Sequence, residues 1–122
     1  MLLDNIIIYA AQPQHPGLRQ FVATHAPAVS AVSYVEVLGF HGLTDPDRAT
    51  LTQFFAAARV LPLDQPVLDQ AVALRRQKRM SLGDSLVAAT ALVHGLALVT
   101  RNITDFRWVP RLKYLDPLAT PP

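Results

Sequence analysis

Short apolar segments at residues 1–8, 28–31, 60–63 and 96–100 alternate with stretches of helical period, and that alternation leaves few folds open. Strands this short and this apolar need cover on both faces, which is the condition of a strand in a parallel sheet. Strands and helices in turn predict an α/β domain whose mainly parallel sheet of four to five short strands lies between helical layers. A fifth strand is expected at Lys113–Leu115, and Ile6–Ile8 either extends the first strand or enters the next helix.

The intervening helices carry local signals. Pro13 and Pro16 mark a turn before a short helix from Gly17 to His25. A second helix is expected from Ser33 to Phe40. Asp45-Pro46 reads as an N-cap followed by proline at the first helical position, opening a helix to about Arg59 with Leu51, Phe54, Phe55 and Ala58 as its apolar stripe. Asp64 caps a helix carrying Val67, Leu68, Ala71, Val72 and Leu74 and ending near Arg79. Ser81 opens another, with Leu82, Leu86, Ala89 and Val93 on one face and Gly95 as its C-terminal cap. With 122 residues and no repeat or linker, residues 1–122 form a single domain, its tail at 117–122 expected to fray.

Four acids stand where buried backbone is expected to end: Asp4, Glu36, Asp84 and Asp105, in MLLD, VSAVSYVE, MSLGDSLVAATAL and LALVTRNITD. Glu36 is the only glutamate in the chain. In open parallel sheets ligands bind beyond the carboxyl ends of the strands. Asp4, Glu36 and Asp105 lie just past predicted strands, and Asp84 opens a helix able to aim its N-terminus at the same edge. Gathered negative charge is costly unless a cation shares it or some carboxylates hold protons, so the pattern reads as a divalent-metal site.

Simpler roles are open to the same residues. Ser33-x-x-Glu36 and Ser81-x-x-Asp84 both fit a capping box, and Asn102-x-x-Asp105 fits an Asx turn or a cap. Asp4 has no such explanation beyond a bond to nearby backbone. The remaining acids, Asp45, Asp47, Asp64, Asp69 and Asp116, read as caps and solvated charges.

Composition removes other chemistries. With no Cys there is no thiolate zinc site, disulfide or cysteine nucleophile. His15, His25, His41 and His94 share no ligand-like spacing, and neither a Gly-rich phosphate loop nor a GxSxG elbow occurs. No basic segment precedes the first apolar run, and the longest apolar stretch, broken at His94 and Gly95, is short of a membrane span. The expectation is a cytoplasmic protein without a membrane partner. Net charge is only +2, but Arg75, Arg76, Lys78 and Arg79 crowd ahead of the Ser81–Asp84 turn, and Arg101 precedes Asp105. Cations beside an acidic centre suit a polyanion whose phosphate must approach a metal; they equally suit a solvated helix end.

LLDNIIIYA, SAVSYVEVLGF, SLGDSLVAATAL and ALALVTRNITDF, in this order and over nearly the whole chain, resemble the PIN-domain family, particularly its VapC-type toxins. The resemblance implies a three-layer α/β/α fold and a Mg2+- or Mn2+-dependent endoribonuclease. It also implies an RNA substrate, a homodimer and a cognate antitoxin that blocks the site. It assigns Asp4, Glu36, Asp84 and Asp105 to catalysis and metal binding, with Glu36 positioning water. Asn5, Ser33 and Asn102 would support them by hydrogen bonds, and Arg75, Arg76, Lys78, Arg79 and Arg101 would meet RNA phosphates. In the family a Ser or Thr usually separates the first Asp from an Asn; here Asn5 follows Asp4 directly. That departure keeps a second reading, a PIN-like binding module with impaired catalysis. A response-regulator receiver domain would also gather acids at such an edge, but it wants an acid pair after the first strand and a phosphoacceptor Asp after the third.

Overall fold

The computed structural model describes residues 1–7 and 16–118. Its elements in chain order are β1 (Leu2–Leu3), α1 (Pro16–His25), β2 (Ala28–Ser30), α2 (Ala31–Leu38), α3 (Asp45–Ala57) and β3 (Val60–Leu61). After them come α4 (Gln65–Gln77), α5 (Leu82–His94), β4 (Leu98–Val99), α6 (Ile103–Phe106) and β5 (Tyr114–Leu115). All pairings are parallel, in the order β3-β2-β1-β4-β5. The chain thus winds outward from β1 through β2 to β3, then crosses to lay β4 against the other side of β1. The strand order reverses between β1 and β4, and an open α/β sheet presents its crevice at such a switch point.

Successive strand residues point to opposite faces, and both faces are covered. Leu2, Ala28, Leu61 and Leu98 face a core built with Val67, Ala71 and Leu74 of α4 and with the buried run Leu86–Ala89 of α5. Leu3, Val29 and Val99 face a second core with Leu18 of α1, Val37 of α2 and Leu51 and Phe55 of α3. Each fully buried Leu or Val contributes about 1.5–3 kcal/mol, so two cores sharing one sheet hold strands only two or three residues long. Helix α5 is buried almost all round, and its two buried hydroxyls are satisfied locally: Ser85 donates to the Leu82 carbonyl at 2.6 Å and Thr90 to the Leu86 carbonyl at 2.7 Å. The small side chains of Ala88, Ala89 and Ala91, all 0% exposed, let sheet and α4 close on it.

Several boundaries differ from the sequence expectation for physical reasons. The first strand stops at Leu3; Asn5–Ile7 turn as a 3₁₀ helix, and Ile6 and Ile7 bury into the second core from that turn. Ile8, Pro13 and His15 lie outside the described residues. Helix α2 begins at Ala31 rather than Ser33, because Ser30 both ends β2 and caps the helix, accepting from the Val32 amide at 3.2 Å. Strand therefore passes into helix without a loop, and Ser33 is carried inside it. Thr44, not Asp45, caps α3, accepting from the Asp47 amide at 3.3 Å. Asp64, Ser81 and Gly95 cap as their sequence positions predict, Gly95 in the left-handed region at φ 64°. Arg48 donates to the Leu38 carbonyl and ties down the end of α2. Of the tail, Leu118 packs against the second core, and residues 119–122 lie outside the described set.

Candidate active site

Asp4 leaves β1 at the point where the strand order reverses. Its amide donates to the Val99 carbonyl at 2.9 Å, so it stays in register with β4 for one residue beyond the strand. Thr100, the residue directly after β4, donates its hydroxyl to Asp4 Oδ2 at 2.8 Å and closes the switch point. Both are buried, Asp4 5% exposed and Thr100 0%. Burial raises the Asp4 carboxyl above the usual carboxylate range. Hydrogen bonds from the Asn5 backbone and Thr100 pull it back in part, and the charges of Glu36 and Asp105 push it up again.

Asp84 arrives from the other side of the crevice on the first turn of α5. Its amide donates to Ser81 Oγ at 3.1 Å, which fixes that turn. Its carboxyl is also raised, first by burial and next by the charge of Asp4, with smaller contributions from Asp105 and Glu36. The Asp4 carboxyl thus feels Glu36 and Asp105, and the Asp84 carboxyl feels Asp4, Asp105 and Glu36.

Glu36 and Asp105 complete the set of four acids from exposed positions. Glu36 projects from the last turns of α2, and its Oε1 accepts from Asn5 Nδ2 at 3.1 Å. The same carboxylate lies against Gly83, where an added Cβ would stand 2.7 Å from both of its oxygens. Glycine at that position is what lets the start of α5 and the acid of α2 approach. Ser33 does not cap Glu36 in the reciprocal box its spacing allows; its hydroxyl is fully buried without a hydrogen-bond partner, and Asn5 Oδ1 is likewise buried and unpartnered. Asp105 sits on the single turn of α6, its amide bonded to the Asn102 carbonyl at 2.9 Å. Asn102 makes no side-chain cap; it joins the site through its own amide, which donates to Thr100 Oγ1 at 3.0 Å.

The donor set, all oxygen, fits a hard cation such as Mg2+. Among the described residues no three His, Asp or Glu side chains enclose a metal position directly. Magnesium keeps several of its waters, so carboxylates that face a common gap and reach the ion partly through water are an adequate holder. Orphaned Asn5 Oδ1 and the raised carboxyls are the groups with most to gain from such an ion.

The basic residues divide. Arg75 and Arg76 end α4, and with Lys78 and Arg79 they line a groove of about 440 Å³. That groove runs on into a cleft of about 300 Å³ joining Lys78, Arg79 and Met80 to Asp84, Asp105 and Trp108. Arg101 is not among the residues lining either space; its Nε lies 3.9 Å from Asp116 Oδ2 and its side chain is about half exposed. A similar cavity of about 320 Å³ at the opposite edge of the sheet, near Gly95 and Lys113, has no acid in its wall.

Three residues of this edge escaped the sequence reading. Thr100 carried a signal, as a hydroxyl directly after a buried strand. Gly83 carried none, since its reason is the approach of a residue from a distant helix. Trp108 is the only tryptophan in the chain and lines the cleft, with Lys78 Nζ 5.5 Å from its ring centroid.

The PIN domain family model matches residues 1–112. Ribonuclease VapC10 of Mycobacterium tuberculosis is 35% identical over 99 residues, covering 77% of this chain and 71% of that protein. A DNA-bound VapBC complex from Salmonella typhimurium contains a chain of the same fold, with TM-score 0.81 at 20% identity over 95% of this chain and 96% of that one. A toxin–antitoxin complex from Klebsiella pneumoniae gives TM-score 0.77 at 24% identity with the same coverage. Fold, sequence match and the order of the acidic segments agree: this chain belongs to the PIN domain family.

Proposed function

We propose that this chain is a Mg2+- or Mn2+-dependent endoribonuclease and the toxin of a toxin–antitoxin pair. The observation that carries the reading is the switch-point pairing of Asp4 with Thr100, close enough to the start of α5 that the charge of Asp4 helps raise the Asp84 carboxyl. Asp4, Asp84 and Asp105 would hold the cation directly or through water, and Glu36, held by Asn5, would orient a water molecule. When bound, the ion would polarise the scissile phosphate, lower the pKa of a coordinated water and stabilise charge on the leaving oxygen. Thr100 fixes the rotamer of Asp4, and Asn102 fixes Thr100 through its amide. Arg75, Arg76, Lys78 and Arg79 would neutralise phosphates along the approach to Asp84, which positions RNA without reading its sequence.

Identity to a named ribonuclease supports RNA as the substrate, and the likeness to chains found in antitoxin complexes supports a protein partner that covers the site. A homodimer and a cytoplasmic setting complete the reading. No helix among the described residues is long and apolar enough to cross a membrane. The test is cleavage of single-stranded RNA by the purified protein in Mg2+, in EDTA, and after Mg2+ is restored. The reading expects activity, loss and recovery. Full activity in EDTA, or an undiminished Asp4→Asn/Asp84→Asn double variant, would overturn it.

A further inference from the structure

We propose that the cleft between the basic run and the acid edge is a nucleobase subsite, in which a base of single-stranded RNA stacks on Trp108 beside the phosphate to be cut. The inference rests on the ribonuclease reading and adds the binding element that reading lacks. The wall of the cleft carries three chemistries in one small space: cations at Lys78 and Arg79, apolar surface at Met80 and Trp108, and acids at Asp84 and Asp105. A free phosphate would want the cations and be repelled by the acids. A purely apolar ligand would gain nothing from either charge. A nucleotide suits all three, since its base offers a flat apolar face, its phosphate meets the cations and the acids hold the metal.

Size points the same way. At about 300 Å³ the cleft stands at the low end of small-molecule sites, room for one base and not for a stacked, paired duplex. The indole is set for the task, because part of it packs against the core around α5 while the ring lines the cleft. Lys78 lies over the ring with Nζ 5.5 Å from its centroid. An exposed cation–π contact is weaker than stacking of a base on an aromatic ring, so an arriving base displaces the ammonium. The released Lys78 then stands beside the phosphate that accompanies the base. A subsite of this kind accepts any base and rejects paired strands.

Trp108 is the sole tryptophan, so its emission reports the cleft without labels. The experiment titrates the intact wild-type chain, in Ca2+ in place of Mg2+, with a mixed-sequence single-stranded RNA and with the duplex of the same sequence. The expected result is quenching by the single strand and little by the duplex. Steady-state cleavage in Mg2+ should show KM raised about tenfold in Trp108→Leu, with the loss in KM rather than in kcat, and mostly restored in Trp108→Phe. Should Trp108→Leu fail to fold, wild-type quenching decides alone. Unchanged emission at RNA concentrations that saturate cleavage, or equal quenching by duplex, overturns the subsite and leaves the ribonuclease reading standing. Quenching by single strands from a protein that cuts no RNA supports the subsite and overturns the ribonuclease reading. Emission that responds to a protein partner but never to RNA also overturns the proposal.

Discussion

Asp4 and Asp105 stand at the same edge of the sheet in opposite surroundings. Asp4 is 5% exposed, bonded to Thr100 and raised by burial; Asp105 is exposed on a single helical turn. Asp84, half-buried, belongs with the first by its raised carboxyl, and Glu36 with the second by its exposure. Ionising this shielded pair costs stability, which couples folding to pH, and under the proposed function a cation would offset that cost. The open pair bears little of that cost and is free to meet substrate and water. A site split this way can be mutated in halves.

Asp4→Asn should give the largest effect. Loss of a supporting group around a metal costs about 10–100-fold in activity, and loss of a ligand more than about 100-fold. Stability should move the other way in metal-free buffer. The folded carboxyl is raised, so the native state binds more protons than the unfolded chain and wild-type stability falls as pH rises from about 4 through the raised value. Asn removes that penalty. The variant should therefore melt higher than wild type at neutral pH and lose the advantage toward pH 4 and below, which thermal melts across pH will check. Asp105→Asn sharpens the contrast: it should also reduce cleavage, but with stability changed by less than about 0.5 kcal/mol, as for an ordinary surface site. Equal stability shifts in the two variants would break the division.

Gly83→Ala is the next effect in size. The new methyl would stand 2.7 Å from both Glu36 oxygens, so the acid must move away from Asn5. About a tenfold loss of cleavage is expected, the cost of a misplaced supporting group, and adding Glu36→Asp should recover part of it by withdrawing the carboxylate. Failure of the shorter acid to recover anything would show that Gly83 matters to the helix start and not to Glu36.

The smallest effect belongs to the basic run. Replacing Arg75, Arg76, Lys78 and Arg79 with Gln should weaken RNA binding and reduce its salt slope by about 0.7 for each phosphate no longer neutralised, with metal affinity unchanged. Identical slopes would assign these cations to solvent or to a protein interface.

The acids were legible because each lies at a break in an apolar pattern, and the parallel sheet puts such breaks on one edge. Periodicity misjudged the local path. Ile6 and Ile7 were open to strand or to the next helix, since burial does not specify conformation, and a separate 3₁₀ turn buries them equally well. The Ser33–Glu36 spacing fitted a capping box, but Ser30 had already started the helix. Glu36 was left to Asn5 and Gly83, whose roles arise from tertiary approach and have no sequence period. Arg101 was grouped with the substrate-facing cations by its nearness to Asp105 in sequence; its pairing with Asp116, beyond the end of β5, comes from tertiary approach.

If the carboxylates of this edge share a divalent cation, calorimetric titration of Mn2+ into the metal-free protein without RNA will register it. Wild type should bind Mn2+ with affinity that rises with pH as the raised Asp4 and Asp84 carboxyls lose their protons. Asp4→Asn and Asp84→Asn should each weaken it, and the double variant should show no binding heat. Unchanged Mn2+ affinity in the double variant would contradict the account.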